Sequence, residues 1–246
     1  MPSVHTAVTT ADGTCPVTLH TPNGTGPWPA VIMYPDAGGA RETMQEMADT
    51  LAGFGYAVLL PDVYYRYGQW APFSMATAFS DPDERKRLMG MMGSLTQDVM
   101  AADAAAFLDF LSGRPEVFDD RIGVCGYCMG GRVAFVVAGR FPDRIAAVGA
   151  IHAGGLVTDH GDSPHLLADR IKAVVYVGGA ENDASFTPQH AETLDKALDA
   201  AGVTHMIDHY PAAHGYAVPD SPTYDGKAAE RHWLALNALF KGALCG

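Results

Sequence analysis

Residues 121–131 read RIGVCGYCMGG and decide the fold. The apolar run Arg121–Gly126 predicts a strand, and Arg132–Arg140 continues as a helix. Between them, Cys128 stands in a G-x-C-x-G pattern at the strand-to-helix junction, where a catalytic nucleophile is often held. Small residues are needed two positions away because side chains there would clash with the neighbouring strand and helix. The thiol of Cys128 would then lie at a helix N-terminus, whose field favours a thiolate.

Short apolar runs alternate with helical patterns on both sides of this motif. The expected strands are Val4–Thr10, Cys15–His20, Ala30–Tyr34, Tyr56–Leu60, Arg121–Gly126, Ile145–Ile151, Ala173–Val177 and Val203–Tyr210. The expected helices are Arg41–Gly53, Thr96–Leu111, Arg132–Arg140, Pro188–Ala201 and Lys227–Leu244. This alternation predicts an α/β fold in which a mostly parallel sheet is flanked by helices on both faces. We expect residues 1–246 to form a single domain.

One segment, from Tyr64 to about Leu95, interrupts the alternation and is too long for a plain connection. It is either a surface excursion with one or two irregular helices or a cap that lines a pocket. We favour the cap, because loops at the carboxyl ends of strands in open α/β sheets usually carry function.

Composition sets the class of protein. The chain has 246 residues, 48% of them hydrophobic, and a formal net charge of −12. These values indicate a globular protein and argue against a nucleic-acid surface, which needs clustered Lys and Arg, and against anionic membranes. The N-terminal MPSVHTAVTT lacks the regions of a signal peptide, and no apolar run is long enough to span a bilayer. We therefore expect a cytoplasmic protein without membrane or nucleic-acid partners.

An acid and a base are expected after the last two strands of such a sheet, in the order nucleophile, acid, histidine. Asp183 follows the strand Ala173–Val177, and His214 follows the last strand. His214 would take the proton of the Cys128 thiol, and Asp183 would orient the imidazole and stabilise its charged form. Glu181 is the substitute for Asp183.

The oxyanion of an acyl-transfer reaction needs two N–H donors. One is expected from the residue after the nucleophile, Met129. The other is expected from the loop after Ala30–Tyr34, where Ala37 is the choice.

Two other chemistries are weaker interpretations of the same residues. Cys125 and Cys128 form a C-x-x-C pair, but Cys125 lies inside the predicted strand, whereas a redox motif begins its helix at the first cysteine.

Among the other histidines, His152 follows a strand and is expected near the rim of the pocket. A metal site would need loosely spaced residues without a recognised motif, namely His205 and His209 with Asp159 or Asp162. We expect neither a metal nor a cofactor.

The sequence resembles the dienelactone hydrolase family, within the α/β-hydrolase superfamily, from about residue 29 to 244. The resemblance rests on GYCMGG at 126–131, on Asp183 and on His214-Gly215-Tyr216. It implies an acidic residue close to the thiol, after the first core parallel strand, that helps to control whether the cysteine is an active thiolate. That residue is usually glutamate, whereas this chain has Asp36, with a shorter side chain.

The resemblance also implies a substrate, because the founding activity opens a dienelactone that carries a carboxylate gripped by two arginines. Arg87, in the stretch 83–87, matches one of them, but Val218 stands in the place of the other. Aromatic pocket residues of the family are replaced by Met91 and Ser94. A less polar ester or lactone therefore fits better than dienelactone. The residues expected to shape its pocket are Tyr65, Trp70, Phe73 and Met89–Met92.

Together these features predict a cysteine-dependent hydrolase that cleaves an ester or lactone through a thioester. Its partner is expected to be a small-molecule substrate. A non-catalytic member of the fold that binds a ligand in the same pocket is the main alternative, and a Cys125–Cys128 redox protein is a lesser one.

Overall fold

The computed structural model describes residues 1–245, with the side chains at 119 and 120 excepted. Its strands form one sheet in the order β1-β2-β4-β3-β5-β6-β7-β8. Their bounds are β1 Ser3–Thr10, β2 Gly13–His20, β3 Trp28–Tyr34, β4 Ala57–Pro61, β5 Val117–Tyr127, β6 Ile145–Ile151, β7 Val174–Asn182 and β8 His205–Ala213. The pairs β1–β2 and β2–β4 are antiparallel, and the pairs from β4 across to β8 are parallel. The predicted mostly parallel sheet is confirmed.

Helices cover both faces of this sheet. They are α1 Glu42–Gly53, α2 Pro82–Gly93, α3 Gln97–Ser112, α4 Met129–Arg140, α5 Pro188–Ala200 and α6 Gly226–Leu244. Apolar residues of α1 and α6 belong to one core cluster, and those of α2, α3, α4 and α5 belong to the other. Successive side chains of a strand point to opposite faces of the sheet. In β4, Leu59 accordingly belongs to the cluster with α2–α5, and Leu60 belongs to the cluster with α1 and α6. The architecture is that of the α/β-hydrolase fold.

The structure extends several predicted elements at the end of the sheet where the site lies. β7 continues past Val177 to Asn182 because its backbone pairs with β8, as in the pair Ala180–Tyr210. Helix α4 begins at Met129, directly after Cys128, rather than at Arg132. Both differences arise because backbone hydrogen bonds continue through glycines that apolar patterning does not detect.

The segment 64–95 contains a short 3₁₀ turn, Tyr65–Tyr67, an irregular stretch and then α2. Asp81 caps α2 by accepting hydrogen bonds from the N–H groups of Asp83 and Glu84, and Pro82 occupies the first helical turn. Within residues 1–245, no helix has both the length and the apolar character needed to cross a membrane.

Candidate active site

Cys128 lies at a strained turn between β5 and α4. Its backbone has φ 54° and ψ −115°, a combination that a non-glycine residue rarely adopts. A Cβ atom added at Gly126 would lie 2.2 Å from the Gly130 backbone, and one at Gly130 would lie 2.3 Å from the carbonyl oxygen of Pro35. The glycines of the motif are therefore required by close backbone contacts. The turn leaves Cys128 partly exposed at the carboxyl edge of the sheet.

The predicted base and acid lie together beside this cysteine. His214 follows β8, and its Nδ1 lies 2.6 Å from Oδ2 of Asp183, which follows β7. Cys128 and His214 line the same cavity, and the thiol lies close enough to the imidazole to affect the pKa of His214. The structure thus places Cys128, His214 and Asp183 together, in the order that a nucleophile, a base and an orienting acid require.

Ser185 contacts both members of the His214–Asp183 pair, and its Oγ lies 3.4 Å from Nδ1 of His214. Its backbone N–H and its hydroxyl both donate to Oδ1 of Asp183, at 2.8 and 2.6 Å. Both carboxylate oxygens of the buried Asp183 are therefore occupied, one by Ser185 and the other by His214. Sequence reasoning missed Ser185. The available signal was its position two residues after an aspartate, where Asx-type turns are common.

The protonation of the pair follows from these contacts. Burial of the His214 ring opposes its charged form, but the hydrogen bond to Asp183 and the nearby Cys128 raise the pKa of His214 to about 10. Burial likewise opposes ionisation of Asp183, but hydrogen bonds from His214 and Ser185 lower the pKa of Asp183 below its usual value. The surroundings therefore favour an imidazolium–carboxylate pair next to the thiol.

The two residues expected to supply oxyanion donors are linked by one side chain. Met129 is the first residue of α4, and Ala37 lies in the loop after β3. The hydroxyl of the buried Tyr64 donates to the carbonyl oxygen of Ala37 at 3.0 Å and lies 3.3 Å from Sδ of Met129. Tyr64 was not predicted as a site residue. It holds the loop after β3 against the start of α4.

Asp36 is buried and held by an arginine that sequence reasoning did not single out. Arg41 donates from Nη1 and Nη2 to the two oxygens of Asp36, at 2.6 and 3.0 Å. The N–H of Gly38 donates to Oδ1 of Asp36 at 2.9 Å. Arg41 also pairs with Asp220, 179 positions away in sequence, at 2.6 Å. Burial opposes the charge of Arg41, but the two aspartates raise the pKa of Arg41 above its usual value.

These groups surround one cavity of about 200 Å³. Its lining residues are Asp36, Ala37, Met75, Phe79, Cys128, His152, His214, Gly215, Ser221, Pro222 and Thr223. Met75 and Phe79 belong to the segment 64–95, so part of that segment covers the thiol. His152 lies in the wall of the cavity and is fully buried, deeper than the expected position at the rim.

The structure does not bring the predicted substrate residues Arg87, Tyr65 and Trp70 into this cavity. Tyr65 is buried elsewhere, where its hydroxyl is bonded to Asp103 at 2.9 Å and to Thr10. These polar contacts explain its position without a ligand.

Arg87 and Trp70 line a different, open groove of about 670 Å³. Arg87 pairs with Glu84 at 2.8 Å, donates to the carbonyl oxygen of Ala71, and stacks 3.7 Å from the centre of the Phe73 ring. The indole N–H of Trp70 donates to Asp62 at 3.2 Å. In this groove the charged and aromatic groups satisfy one another.

Cys125 faces away from the cavity. It is fully buried within β5, in the core cluster on the α1–α6 side, and its burial raises the pKa of the Cys125 thiol above its usual value. All four cysteines are free in the structure. Across the part of the chain that the structure describes, no three His, Cys, Asp or Glu side chains are grouped in a way that could hold a metal ion.

A strained strand-to-helix turn, a histidine–aspartate pair and this strand order are those of an α/β-hydrolase-type protein. The sequence profile of the dienelactone hydrolase family matches residues 15–244, and the chain belongs to that family of hydrolases. A small-molecule ester or lactone substrate fits this family.

Individual relatives are distant but span most of the chain. A curated relative from Synechocystis sp. is 23% identical over 230 residues, which is 92% of this chain and 91% of the relative. The carboxymethylenebutenolidase of Pseudomonas sp. is 25% identical over 203 residues, 82% of this chain and 80% of that enzyme. A crystal structure from Klebsiella pneumoniae has a TM-score of 0.84 at 24% identity, covering 97% of this chain and 98% of that one. That structure supports the fold, and the comparisons favour neither a non-catalytic nor a redox role.

Proposed function

We propose that this protein is a cysteine-dependent hydrolase that cleaves an ester or lactone through a thioester acyl-enzyme. The observation that carries the proposal is the cavity that Cys128 and His214 line together, with His214 hydrogen-bonded to Asp183 and the cysteine held on a strained turn. A strained backbone conformation persists only where the surrounding structure enforces it, and such residues cluster at functional sites. Here it presents the sulfur to the cavity at the N-terminus of α4.

In the acylation half, Cys128 Sγ attacks the substrate carbonyl carbon, and His214 holds the thiol proton. The N–H groups of Met129 and Ala37 stabilise the oxyanion that forms. The bond to the alkoxide leaving group then breaks, and His214 gives its proton to that oxygen. Asp183 keeps the imidazole oriented and stabilises its charge throughout. Asp36 lies close to the thiol and, through its pairing with Arg41, fixes the loop that carries Ala37.

The lining of the cavity supports a weakly polar substrate. Its residues from the segment 64–95, Met75 and Phe79, are apolar, and no arginine is among the described residues that line it. Val218 is buried, and Arg87 lies in the other groove. A carboxylate like that of a dienelactone would thus lack the paired arginines that the family uses. We therefore place the substrate among uncharged esters or lactones, with the segment 64–95 acting as a cap.

The test is multiple-turnover hydrolysis of p-nitrophenyl acetate, followed well past one equivalent because any of the four thiols could be acylated once. Cys128→Ala is expected to lose at least about 10³-fold in kcat/KM, since it removes the nucleophile. Cys245→Ala is the matched control, because Cys245 is an exposed thiol directly after α6 and outside the cavity, and it should retain full activity. Unchanged turnover in Cys128→Ala contradicts the proposal.

A further inference from the structure

His152 is the one imidazole besides His214 among the described residues that line the catalytic cavity. It follows β6, the strand that pairs with β5 and therefore lies beside the Cys128 turn. Its ring centre lies 5.1 Å from that of His214, at an interplanar angle of 61°. His152 is thus in direct contact with the expected general base but has no part in the proposed acylation step.

Two features of His152 are energetically unfavourable. The residue is fully buried, and neither Nδ1 nor Nε2 has a hydrogen-bond partner among the described residues. Its φ is 35°, in the left-handed region that a non-glycine residue avoids. A buried polar atom without a partner destabilises a fold by about 1–3 kcal/mol, and a phenylalanine in the same packing would avoid that penalty. Such groups in native proteins call for an explanation, and an ordered water is the commonest one.

The surroundings of His152 restrict where a partner can come from. Its ring packs edge-on against Tyr216, with centres 5.1 Å apart, and in a tilted arrangement against Tyr127, with centres 5.9 Å apart. Its backbone N–H donates to the carbonyl oxygen of Gly178 at 2.7 Å. Aromatic rings and the sheet therefore occupy the inner sides, so the cavity shared with Cys128 and His214 is the side open to a ligand.

His152 stays neutral in this position. Burial, and then the nearby charges of His214 and His232, lowers the pKa of His152 well below its usual value. Asp183 is the acidic group that acts in the opposite direction, and it is weaker. A neutral imidazole offers one N–H donor and one acceptor nitrogen, which together suit a water molecule.

We propose that His152 is a catalytic residue of the second half-reaction, holding through a ring nitrogen the water that hydrolyses the Cys128 thioester. The inference rests on the acyl-enzyme proposed above. The water oxygen attacks the thioester carbonyl carbon, and His214 takes the proton that the water loses. The carbon–sulfur bond then breaks, its electron pair returns to Sγ of Cys128, and the carboxylic acid product leaves. His152 exchanges no proton. It orients the water between itself and His214.

The test separates acylation from the fate of the acyl-enzyme. With p-nitrophenyl acetate as the substrate, kcat/KM reports acylation. Added hydroxylamine competes with water for the acetyl-enzyme. The ratio of acetohydroxamate to acetate therefore reports the rate at which hydroxylamine attacks the acetyl-enzyme relative to the rate at which water attacks it, whichever step limits turnover. The variants are His152→Phe, which removes both ring nitrogens, and His152→Asn, which restores a polar group and tolerates positive φ. Tyr216→Phe is the matched control, because it removes a hydroxyl from the same aromatic cluster outside the cavity.

His152→Phe is expected to keep kcat/KM within about threefold while the hydroxamate-to-acetate ratio rises about 10- to 100-fold, the effect of losing one orienting contact. In His152→Asn the ratio should lie between those of the wild type and His152→Phe, and in Tyr216→Phe it should equal that of the wild type. An unchanged ratio in His152→Phe, or the same rise in Tyr216→Phe, overturns the inference. If His152→Phe does not fold, His152→Leu, which also removes both ring nitrogens, decides, and an unchanged ratio there overturns the inference. The absence of Cys128-dependent turnover in the wild type would instead contradict the proposed function.

Discussion

The segment 64–95 borders two depressions that differ in how their polar groups are satisfied. The groove of about 670 Å³ contains Arg87 and Trp70, and both side chains there have hydrogen-bond partners from the protein itself. The cavity of about 200 Å³ contains Cys128 and His152, both with positive φ, and His152 has no hydrogen-bond partner for its ring among the described residues. In the groove, Arg87 and Trp70 are hydrogen-bonded by the protein, whereas in the cavity the ring nitrogens of His152 are left available to a ligand.

The difference shows why charge and aromatic content alone are poor guides to a site. In the groove, Arg87 and Glu84 sit one helical turn apart and neutralise each other. In the cavity, the strain and the unpaired nitrogens persist against their energetic penalty, which is typical of groups retained for function. Three predictions follow from treating the cavity as the reactive region and the groove as a structural surface.

The largest effect is expected from Asp183→Asn, which removes the charge that orients and stabilises His214. We expect kcat/KM for p-nitrophenyl acetate to fall about 10³- to 10⁴-fold, as when the acid of a triad is neutralised. The sign of the pH effect also follows. Because Asp183 helps to raise the pKa of His214 to about 10, its loss should move the alkaline limb of the pH–rate profile to lower pH.

A second histidine–aspartate pair provides the control. His205 and Asp195 lie 3.1 Å apart, and Asp195 is exposed on α5, away from the cavity. Asp195→Asn should leave kcat/KM within about twofold of the wild type. If Asp183→Asn behaved like Asp195→Asn, the hydrogen bond between Asp183 and His214 would have no catalytic role.

The sequence was sufficient for the sheet, for the turn at Cys128 and for the proximity of Asp183 to His214. These follow from patterns that are local, or from the order of loops at the ends of consecutive strands. It was not sufficient for Ser185, Tyr64 or Arg41, because their contacts depend on which loops meet in space. The pairing of Arg41 with Asp220 joins residues 179 positions apart. Arg87 was singled out by the stretch 83–87, and its partner Glu84 stands three positions earlier in that same stretch, at a spacing that pairs side chains on one helix face.

The second-largest effect is expected from Arg41→Met, and it is a loss of folding stability. The side chains of Arg41 and Asp36 are only 9% and 6% exposed, so removing the guanidinium leaves a buried carboxylate without its partner. We expect the free energy of unfolding to fall by about 3–5 kcal/mol, measured by urea denaturation. The double variant Arg41→Met/Asp36→Asn should recover part of this loss, because it removes the unpaired charge. A double variant less stable than Arg41→Met would show that the ion pair is not the source of the effect.

The smallest effect is expected from Arg87→Met, the corresponding change in the groove. The side chains of Arg87 and Glu84 are 31% and 40% exposed, and pairs of this kind contribute about 0–1 kcal/mol. The stacking of Arg87 on Phe73 adds about 0.5–1 kcal/mol. The stability loss should therefore be well below that of Arg41→Met in the same denaturation experiment.

The activity of Arg87→Met shows whether the groove takes part in substrate recognition or the cavity alone does. With Arg87 outside the cavity, kcat/KM should stay within about twofold of the wild type for p-nitrophenyl acetate and for the carboxylate-bearing mono-p-nitrophenyl succinate alike. An arginine that gripped a substrate carboxylate would instead act selectively. Its loss would lower kcat/KM for the succinate ester by about tenfold or more while sparing the acetate, because a charged hydrogen bond contributes about 1.5–3 kcal/mol. A selective loss would assign the groove to substrate recognition, as the family resemblance implies, and would require the cap to bring Arg87 to the cavity during the reaction.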